Sequence, residues 1–213
     1  MEQKTTIRPV LVTGFDPFGG ETINPAFEAV RLLPDVIGGV PVERLEVPTV
    51  FALAGKTVIE AVERLDPVMV VCVGQAGGRD GITPEKVAIN DMESTAADNA
   101  GVKGTGLPVI PGRPTAYFST LPLAEMVRAM QAIGLPAKVS YTAGTFVCNS
   151  LMYTLLDYLS EHRPDIPGGF IHVPFAAEQV AGKPEGTPFM TLPDIARGLE
   201  AAIDAALKTQ NIK

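Results

Sequence analysis

The run at residues 68–74, VMVVCVG, restricts the fold of this chain more than any other stretch. A strand with apolar side chains on both faces must be covered on both faces, which is typical of a parallel sheet flanked by helices. Cys72 lies inside this run and is therefore predicted to be a core residue. Other short apolar runs alternate with longer amphipathic segments. We predict an α/β fold with an open, mostly parallel, twisted sheet and helices on both faces, in a single domain at 1–213.

Turn residues and apolar periodicity set the predicted elements. Asn24 followed by Pro25 resembles a helix N-cap and first helical residue. Residues 91–115 are rich in Gly, Pro, Asp and Asn and are predicted to be a long surface loop, of a length that tends to serve function or contact a partner. Strands are predicted at 8–13, 40–47, 68–73, 86–89, 138–142 and 170–173, and helices at 25–33, 50–65, 121–133, 148–162 and 192–208.

Composition narrows the class of protein. The net charge is −7 and no dense Lys/Arg cluster is present, which argues against a nucleic-acid partner. The first residues contain no long apolar signal core and no apolar run approaches membrane-spanning length, so we expect a soluble, cytoplasmic protein with no membrane partner. Two cysteines and two histidines, whose spacing fits no finger or ribbon, predict neither a disulfide framework nor a metal site.

Residues 138–175 read as a strand, a helix and a second strand, and carry the candidate chemistry. Cys148 lies just past the first predicted strand, 138–142, at the start of the helix, and His172 lies near the carboxyl end of the second, 170–173. If these strands are parallel neighbours, both side chains lie at the same edge of the sheet. The alternative is a small core cysteine and a strand histidine with no chemical role.

The start of a helix is a favourable place for a nucleophilic cysteine. Unpaired backbone N–H groups and the helix dipole stabilise an anion there, so we expect the pKa of the Cys148 thiol to be lowered. A neighbouring imidazole, that of His172, can stabilise the thiolate and then donate a proton to a leaving amine. The pair is therefore a candidate nucleophile and general acid/base.

Two further loops leave predicted strands at the same edge of the sheet. The loop at 14–20, GFDPFGG, carries Phe15 and Phe18, which either pack beneath the loop or form an apolar ligand pocket; its spacing matches no phosphate-binding fingerprint. In the second loop, GQAGGR at 74–79, closely spaced glycines allow a ligand to approach the backbone, and Gln75 is placed to recognise an amide. Glu85 follows, and by itself it reads as a solvated carboxylate.

Long motifs over most of the chain, from residue 11 to residue 175, resemble one family. They resemble the pyroglutamyl peptidase I family, also called pyrrolidone-carboxylate peptidase, whose members remove an N-terminal pyroglutamyl residue by cysteine chemistry. The resemblance implies a three-layer α/β/α sandwich, a pyroglutamyl-peptide substrate, no metal or organic cofactor, and a homo-oligomer, commonly a tetramer. The motifs are VTGFDPFGGETINP, VPTVF, GQAGGRDGITPEKVAIN, TAGTFVCNSLMY and GGFIHVPF.

The resemblance also implies roles for individual residues. Cys148 corresponds to the family nucleophile, His172 to its partner, and Glu85 to the third member of a triad, against the solvated interpretation above. At Thr95 the family often carries an arginine; if that arginine helps to hold the oxyanion or the triad, this protein must work without it, with an altered rate or pH dependence and the same class of reaction. The residues implied to form the pocket for the pyrrolidone ring are Phe15, Phe18, Gln75 and Phe146, with Asn24 beside them.

Two other classes of function remain open at this point. A non-catalytic small-molecule binding domain and a phosphorylase-type transferase both use glycine loops at the edge of such a sheet. Inactivation by a thiol alkylator at Cys148 separates the peptidase from both alternatives.

Overall fold

The computed structural model of the protein describes residues 8–212. Residues 1–7 and 213, the outermost ends of the predicted domain, lie outside the described part. The prediction that the first residues contain no signal core therefore also falls outside it. Within the described part, no helix is long and apolar enough to cross a membrane.

Five helices and twelve strands make up the described chain. The helices are α1 (Pro25–Arg31), α2 (Phe51–Leu65), α3 (Leu123–Ala132), α4 (Val147–His162) and α5 (Leu192–Thr209), with a 3₁₀ turn at Ala177–Gln179. The strands are β1 (Val10–Phe15), β2 (Val36–Ile37), β3 (Val40–Val47), β4 (Met69–Gln75), β5 (Thr83–Pro84), β6 (Val87–Ile89), β7 (Met92–Glu93), β8 (Thr105–Leu107), β9 (Ala116–Phe118), β10 (Gly168–Val173), β11 (Phe175–Ala176) and β12 (Phe189–Met190).

The main sheet has six strands in the order β2-β3-β1-β4-β10-β5. The four inner strands, β3, β1, β4 and β10, are parallel, and β2 and β5 pair antiparallel at the two edges. Parallel neighbours bring their carboxyl ends to one edge of the sheet, where ligands bind in open α/β folds. The predicted mostly parallel α/β sheet is confirmed.

Two hydrophobic clusters cover the two faces of the sheet, which makes the molecule a three-layer sandwich. On β4, Val71 and Val73 pack into the cluster formed with α1, α3 and α5. Val70 and Cys72 point to the other face and pack with α2 and α4. Cys72 is fully buried, as its apolar strand predicts.

The predicted strand at 138–142 is wrong. In this segment and just before it, only Ala137 and Ser140 form isolated bridges, to Ile82 and Glu85. Both edges of β10 are already occupied, by β4 on one side and β5 on the other, so no place beside β10 remains for another strand. The parallel neighbour of β10 is therefore β4.

Residues 91–115, which we call the excursion, are more ordered than the predicted loop. β7 and β8 form an antiparallel pair within it. Asp98 fixes the excursion to α2, because its Oδ2 accepts from the N–H of Phe51 at the first residue of that helix, at 2.9 Å. Its Oδ1 accepts from the N–H groups of Ala100 and Val102 at 2.9 and 2.8 Å.

Candidate active site

Cys148 and His172 both lie beside Gly74, at the carboxyl end of β4. Cys148 is the second residue of α4, and a Cβ atom added to Gly74 would lie 2.9 Å from its Sγ. His172 on β10 is the register partner of Gly74. Both side chains line one cavity of about 290 Å³. The predicted convergence at the sheet edge is therefore present, but β4 supplies the contact in place of residues 138–142.

Glu85 is held against His172 by the edge strand β5. Antiparallel pairing sets Thr83 opposite His172, and the chain then continues to Glu85, whose N–H bonds to the carbonyl of Phe170. The Oε1 of Glu85 lies 2.7 Å from the Nδ1 of His172. A carboxylate can only accept, so Nδ1 carries the proton and Nε2 is left as the basic nitrogen. Glu85 is fully buried, so its interpretation as a solvated carboxylate is wrong.

Arg79, which sequence reasoning did not single out, is a fourth polar member of the cluster. Its Nη1 donates to the Oε1 of Glu85 at 2.6 Å and also to the hydroxyl of Thr83. Its Nη2 donates to the carbonyl of Thr142 at 3.1 Å, in the segment that leads into α4. Arg79 thus ties the glycine-rich loop after β4 to the carboxylate and to the approach to Cys148. The sequence feature that could have identified Arg79 is its position at the end of the glycine-rich loop GQAGGR.

The pKa values follow from burial first and from neighbouring charges second. Removal from water raises the pKa of the Cys148 thiol to about 12; the Glu85 carboxylate adds to this rise and Arg79 opposes it. Desolvation therefore outweighs the helix start, and the predicted lowering is not found. Burial lowers the pKa of His172 and Arg79 lowers it further, although Glu85 acts in the opposite direction.

The Glu85 carboxyl responds differently to the same surroundings. Burial alone would raise its pKa, but hydrogen bonds from His172 and Ser140 and the charges of His172 and Arg79 together lower it. Burial therefore favours the neutral forms of the Cys148 thiol and the His172 imidazole, while the neighbouring donors and positive charges favour the ionised form of the Glu85 carboxyl.

Aromatic rings form the apolar walls of the cavity. Phe146 is the residue just before α4, and its ring centroid lies 6.1 Å from that of Phe18 and 5.3 Å, edge-on, from that of Phe51. Phe15 is buried at the end of β1 beside Phe170. The cavity lining also includes residues that sequence reasoning missed: Thr49, Ala76, Arg79, Thr142, Ala143 and Gly144.

Asn24 lines the cavity, and its amide is committed to the protein. Its Oδ1 caps α1 by accepting from the N–H of Ala26 at 3.1 Å, as the Asn-Pro pair predicts. Its Nδ2 donates to the carbonyl of Asp16 at 2.9 Å. Asn24 therefore shapes the loop that carries Phe15 and Phe18. Among residues 8–212, no group of three or more His, Cys, Asp or Glu side chains is placed to hold a metal ion.

Comparison with known proteins agrees with this geometry. The family model described as pyroglutamyl peptidase matches residues 8–209. The chain belongs to the pyroglutamyl peptidase family. The pyrrolidone-carboxylate peptidase of Enterococcus faecalis is 53% identical over 201 residues, which cover 94% of both chains. The pyrrolidone-carboxylate peptidase of Alkaliphilus oremlandii is 50% identical, again over 94% of both.

Solved structures of the pyroglutamyl peptidase family share the fold. Pyroglutamyl peptidase I from Bacillus amyloliquefaciens superposes with a TM-score of 0.90 at 44% identity, covering 94% of this chain and 95% of that one. A mutant pyrrolidone carboxyl peptidase from the hyperthermophile Pyrococcus furiosus gives 0.89 at 37% identity, covering 94% and 99%. The predicted sandwich and the resemblance to this family are confirmed.

Thr95 is the position at which the family resemblance led us to expect an arginine. Thr95 is exposed on the excursion and is not among the residues that line the cavity. The guanidinium that lies in the site belongs to Arg79 on a different loop.

Proposed function

We propose that the protein is a cysteine exopeptidase that hydrolyses the amide bond after an N-terminal pyroglutamyl residue. The observation that carries this proposal is the placement of Cys148 beside the buried Glu85–His172 pair, at the wall of a small aromatic cavity. The names of the relatives support the same substrate.

Acylation begins with proton transfer between the two central side chains. Nε2 of His172 takes the thiol proton as Sγ of Cys148 attacks the scissile carbonyl carbon, and Glu85 stabilises the imidazolium through Nδ1. Because the resting thiol is protonated, the thiolate forms during the encounter with substrate. The raised pKa of the thiol and the lowered pKa of His172 make this transfer costly until the substrate carbonyl can receive the electron pair.

The negative oxygen that forms on the substrate lies close to the start of α4. The N-cap residue Phe146 has no side-chain capping bond, so the first backbone N–H groups of the helix, those of Val147 and Cys148, are the proposed oxyanion donors. Collapse of the tetrahedral intermediate breaks the C–N bond, and the imidazolium of His172 donates its proton to the departing amine.

Hydrolysis of the thioester repeats these roles with water as the nucleophile. His172 takes a proton from water as the oxygen attacks the thioester carbon, and Cys148 leaves and recovers that proton. Free pyroglutamate is released. The described side chains supply every proton transfer in this series of reaction steps.

The cavity walls suit a flat, neutral lactam ring. Phe15, Phe18 and Phe146 offer apolar surface, against which the charged α-amine of glutamine, glutamate or proline would lose its water. Proline also lacks the ring carbonyl, so a polar group at Gln75 would be left unpaired. We expect kcat/KM for a prolyl substrate to be about 10⁴-fold lower than for a pyroglutamyl substrate.

The experiment that tests the proposal is hydrolysis of matched aminoacyl-coumarin amides by the wild-type protein and by Cys148→Ser and Cys72→Ser. Cys148→Ser should abolish release of coumarin from the pyroglutamyl amide, and Cys72→Ser should keep most of it. Activity that survives in Cys148→Ser, or a prolyl amide cleaved within about tenfold of the pyroglutamyl amide, contradicts the proposal. Wild-type protein that binds pyroglutamate without cleaving the amide would instead support a binding domain.

A further inference from the structure

Gln179 lies behind the cavity wall, and its orientation is set by the backbone. It is the last residue of the 3₁₀ turn and only 6% exposed. The N–H of Ala176 donates to one end of its amide at 3.0 Å. A backbone N–H can only donate, so this end must be the oxygen Oε1. The amino group Nε2 therefore points the other way.

The amino group of Gln179 in turn orients Gln75. Nε2 donates to the side-chain oxygen of Gln75 at 2.9 Å and approaches the carbonyl of Ile23 at 3.5 Å. Both of these partners accept, which agrees with the assignment at Ala176. The oxygen of Gln75 is therefore turned towards Gln179, and its amino group is turned away.

The amino group of Gln75 is not used in these hydrogen bonds and is free to face the cavity. The side chain of Gln75 lines the cavity together with Cys148 and His172. Within residues 8–212, the amino group of Gln75 donates to no protein acceptor, whereas both polar ends of Gln179 are bonded. Gln75 is half-buried, so this donor is available to an acceptor on a ligand that fills the cavity.

We infer that Gln179 is a positioning residue that sets the polarity of the Gln75 amide, so that the cavity presents N–H donors and selects a substrate ring that carries a carbonyl. The inference rests on the proposed function. A pyroglutamyl ring offers a carbonyl oxygen as acceptor at this point, whereas a ring of the same size without that carbonyl leaves the Gln75 donor unpaired. Gln179 touches no substrate and acts only through Gln75.

The decisive variant is Gln179→Glu. It keeps the size of the side chain but replaces the amino group that donates to Gln75 with an oxygen that can only accept. A carboxylate still accepts from the N–H of Ala176, but it cannot donate to Gln75. The Gln75 amide must then turn over to donate to residue 179, which places its oxygen against the ring carbonyl. Gln179→Met is the neutral companion, needed because Glu21, paired with Lys183 at 2.7 Å, lies close enough to repel a new carboxylate.

The measurement is a pair of competitive inhibition constants, with pyroglutamamide and cyclopentanecarboxamide as the probes. The two rings have similar size and neither is charged, but only the first has a ring carbonyl. Gln179→Glu should raise the constant for pyroglutamamide about tenfold to a hundredfold and Gln179→Met by less, with the constant for cyclopentanecarboxamide nearly unchanged. KM for the pyroglutamyl coumarin amide should rise in parallel, while kcat and its pH profile stay the same.

Two comparisons make the outcome decisive. Glu178→Gln, a change at the exposed neighbouring residue, should alter neither constant. In a Gln75→Met background, Gln179→Glu should cause no further loss, because the group through which it acts is gone. Equal weakening of both probes, or no change for pyroglutamamide in either Gln179 variant, would overturn the inference. A wild-type protein that fails to cleave the pyroglutamyl amide would instead refute the proposed function.

Discussion

At Cys148, the removal of water and the start of a helix act in opposite directions on the thiol. Burial prevails and raises the pKa of the thiol to about 12. The same burial lowers the pKa of His172. In the proposed mechanism the thiolate forms as substrate fills the cavity, so we expect the unliganded protein to react slowly with other electrophiles.

Replacing Arg79 should shift the pH dependence upwards. The guanidinium disfavours the imidazolium of His172 and favours the thiolate of Cys148, so Arg79→Gln should raise both pKa values. Since His172 must be neutral to accept the thiol proton, the acid limb of kcat/KM should move to higher pH, and the alkaline limb should move in the same direction. Profiles of kcat/KM for wild type, Arg79→Gln and the charge-retaining Arg79→Lys measure this. An acid limb that stays in place or moves to lower pH would refute the account of Arg79.

The two histidines should differ sharply in their effect on rate. His162 ends α4, with its ring centroid 4.9 Å from that of Tyr158, at the far end of the helix from Cys148. His172→Ala should lower kcat by about 10² to 10⁴-fold through loss of the general acid/base, and His162→Ala should leave it nearly unchanged. Comparable losses in two folded variants would count against the assignment.

Residue patterns predicted Cys148 and His172 from their positions at strand and helix ends, but they did not predict Glu85. Its burial depends on β5, which has only two residues, one of them Pro84. Arg79 and Gln179 were not predicted from the sequence for a related reason. Their roles come from hydrogen bonds to residues that lie up to 104 positions away in the chain.

At the scale of elements, the long helices and inner strands follow local patterns, and the short pieces depend on tertiary contacts. β3 spans the predicted residues 40–47, and α5 begins at its predicted residue, Leu192. The prediction at 138–142 failed because β5 fills the edge of β10 that a further strand would need. Two segments compete for the same edge of β10, and no local sequence pattern indicates which of them pairs with it, because the outcome depends on tertiary contacts.

The attachment of the excursion to α2 gives a prediction at this scale. Asp98 accepts three backbone N–H groups and is nearly buried, so Asp98→Ala should lower the stability of the protein by about 2 kcal/mol. The melting temperature should fall by roughly 4–8 °C in calorimetry. Glu93→Ala, at an exposed position of the same excursion, is the control and should change it little. An unchanged melting temperature for Asp98→Ala would show that the excursion is held by other contacts.

At the scale of the whole molecule, the excursion leaves apolar surface in water. Val102 is 49% exposed and Leu107 is 58% exposed on it. Together with the family resemblance, this predicts a homo-oligomer, a tetramer, in which the excursion lies at a contact between copies. Light scattering at micromolar concentration should give about four times 22.5 kDa. Leu107→Glu should shift the distribution to smaller species, and a clean monomer of the wild-type protein would rule the prediction out.

The proposed mechanism is tested most directly by finding the acyl group on the protein. Pyroglutamyl coumarin amide is mixed with excess protein, the reaction is quenched in acid, and the masses of the tryptic peptides are measured by mass spectrometry. The two cysteines separate, since residues 65–79 carry Cys72 and residues 139–197 carry Cys148; trypsin does not cleave before Pro164 or Pro184. We expect a pyroglutamyl thioester on the peptide with Cys148, and a longer-lived thioester in any His172→Ala protein that becomes acylated. An adduct on Cys72, or steady turnover with no adduct on either peptide under conditions where deacylation is rate-limiting, would contradict the proposed mechanism.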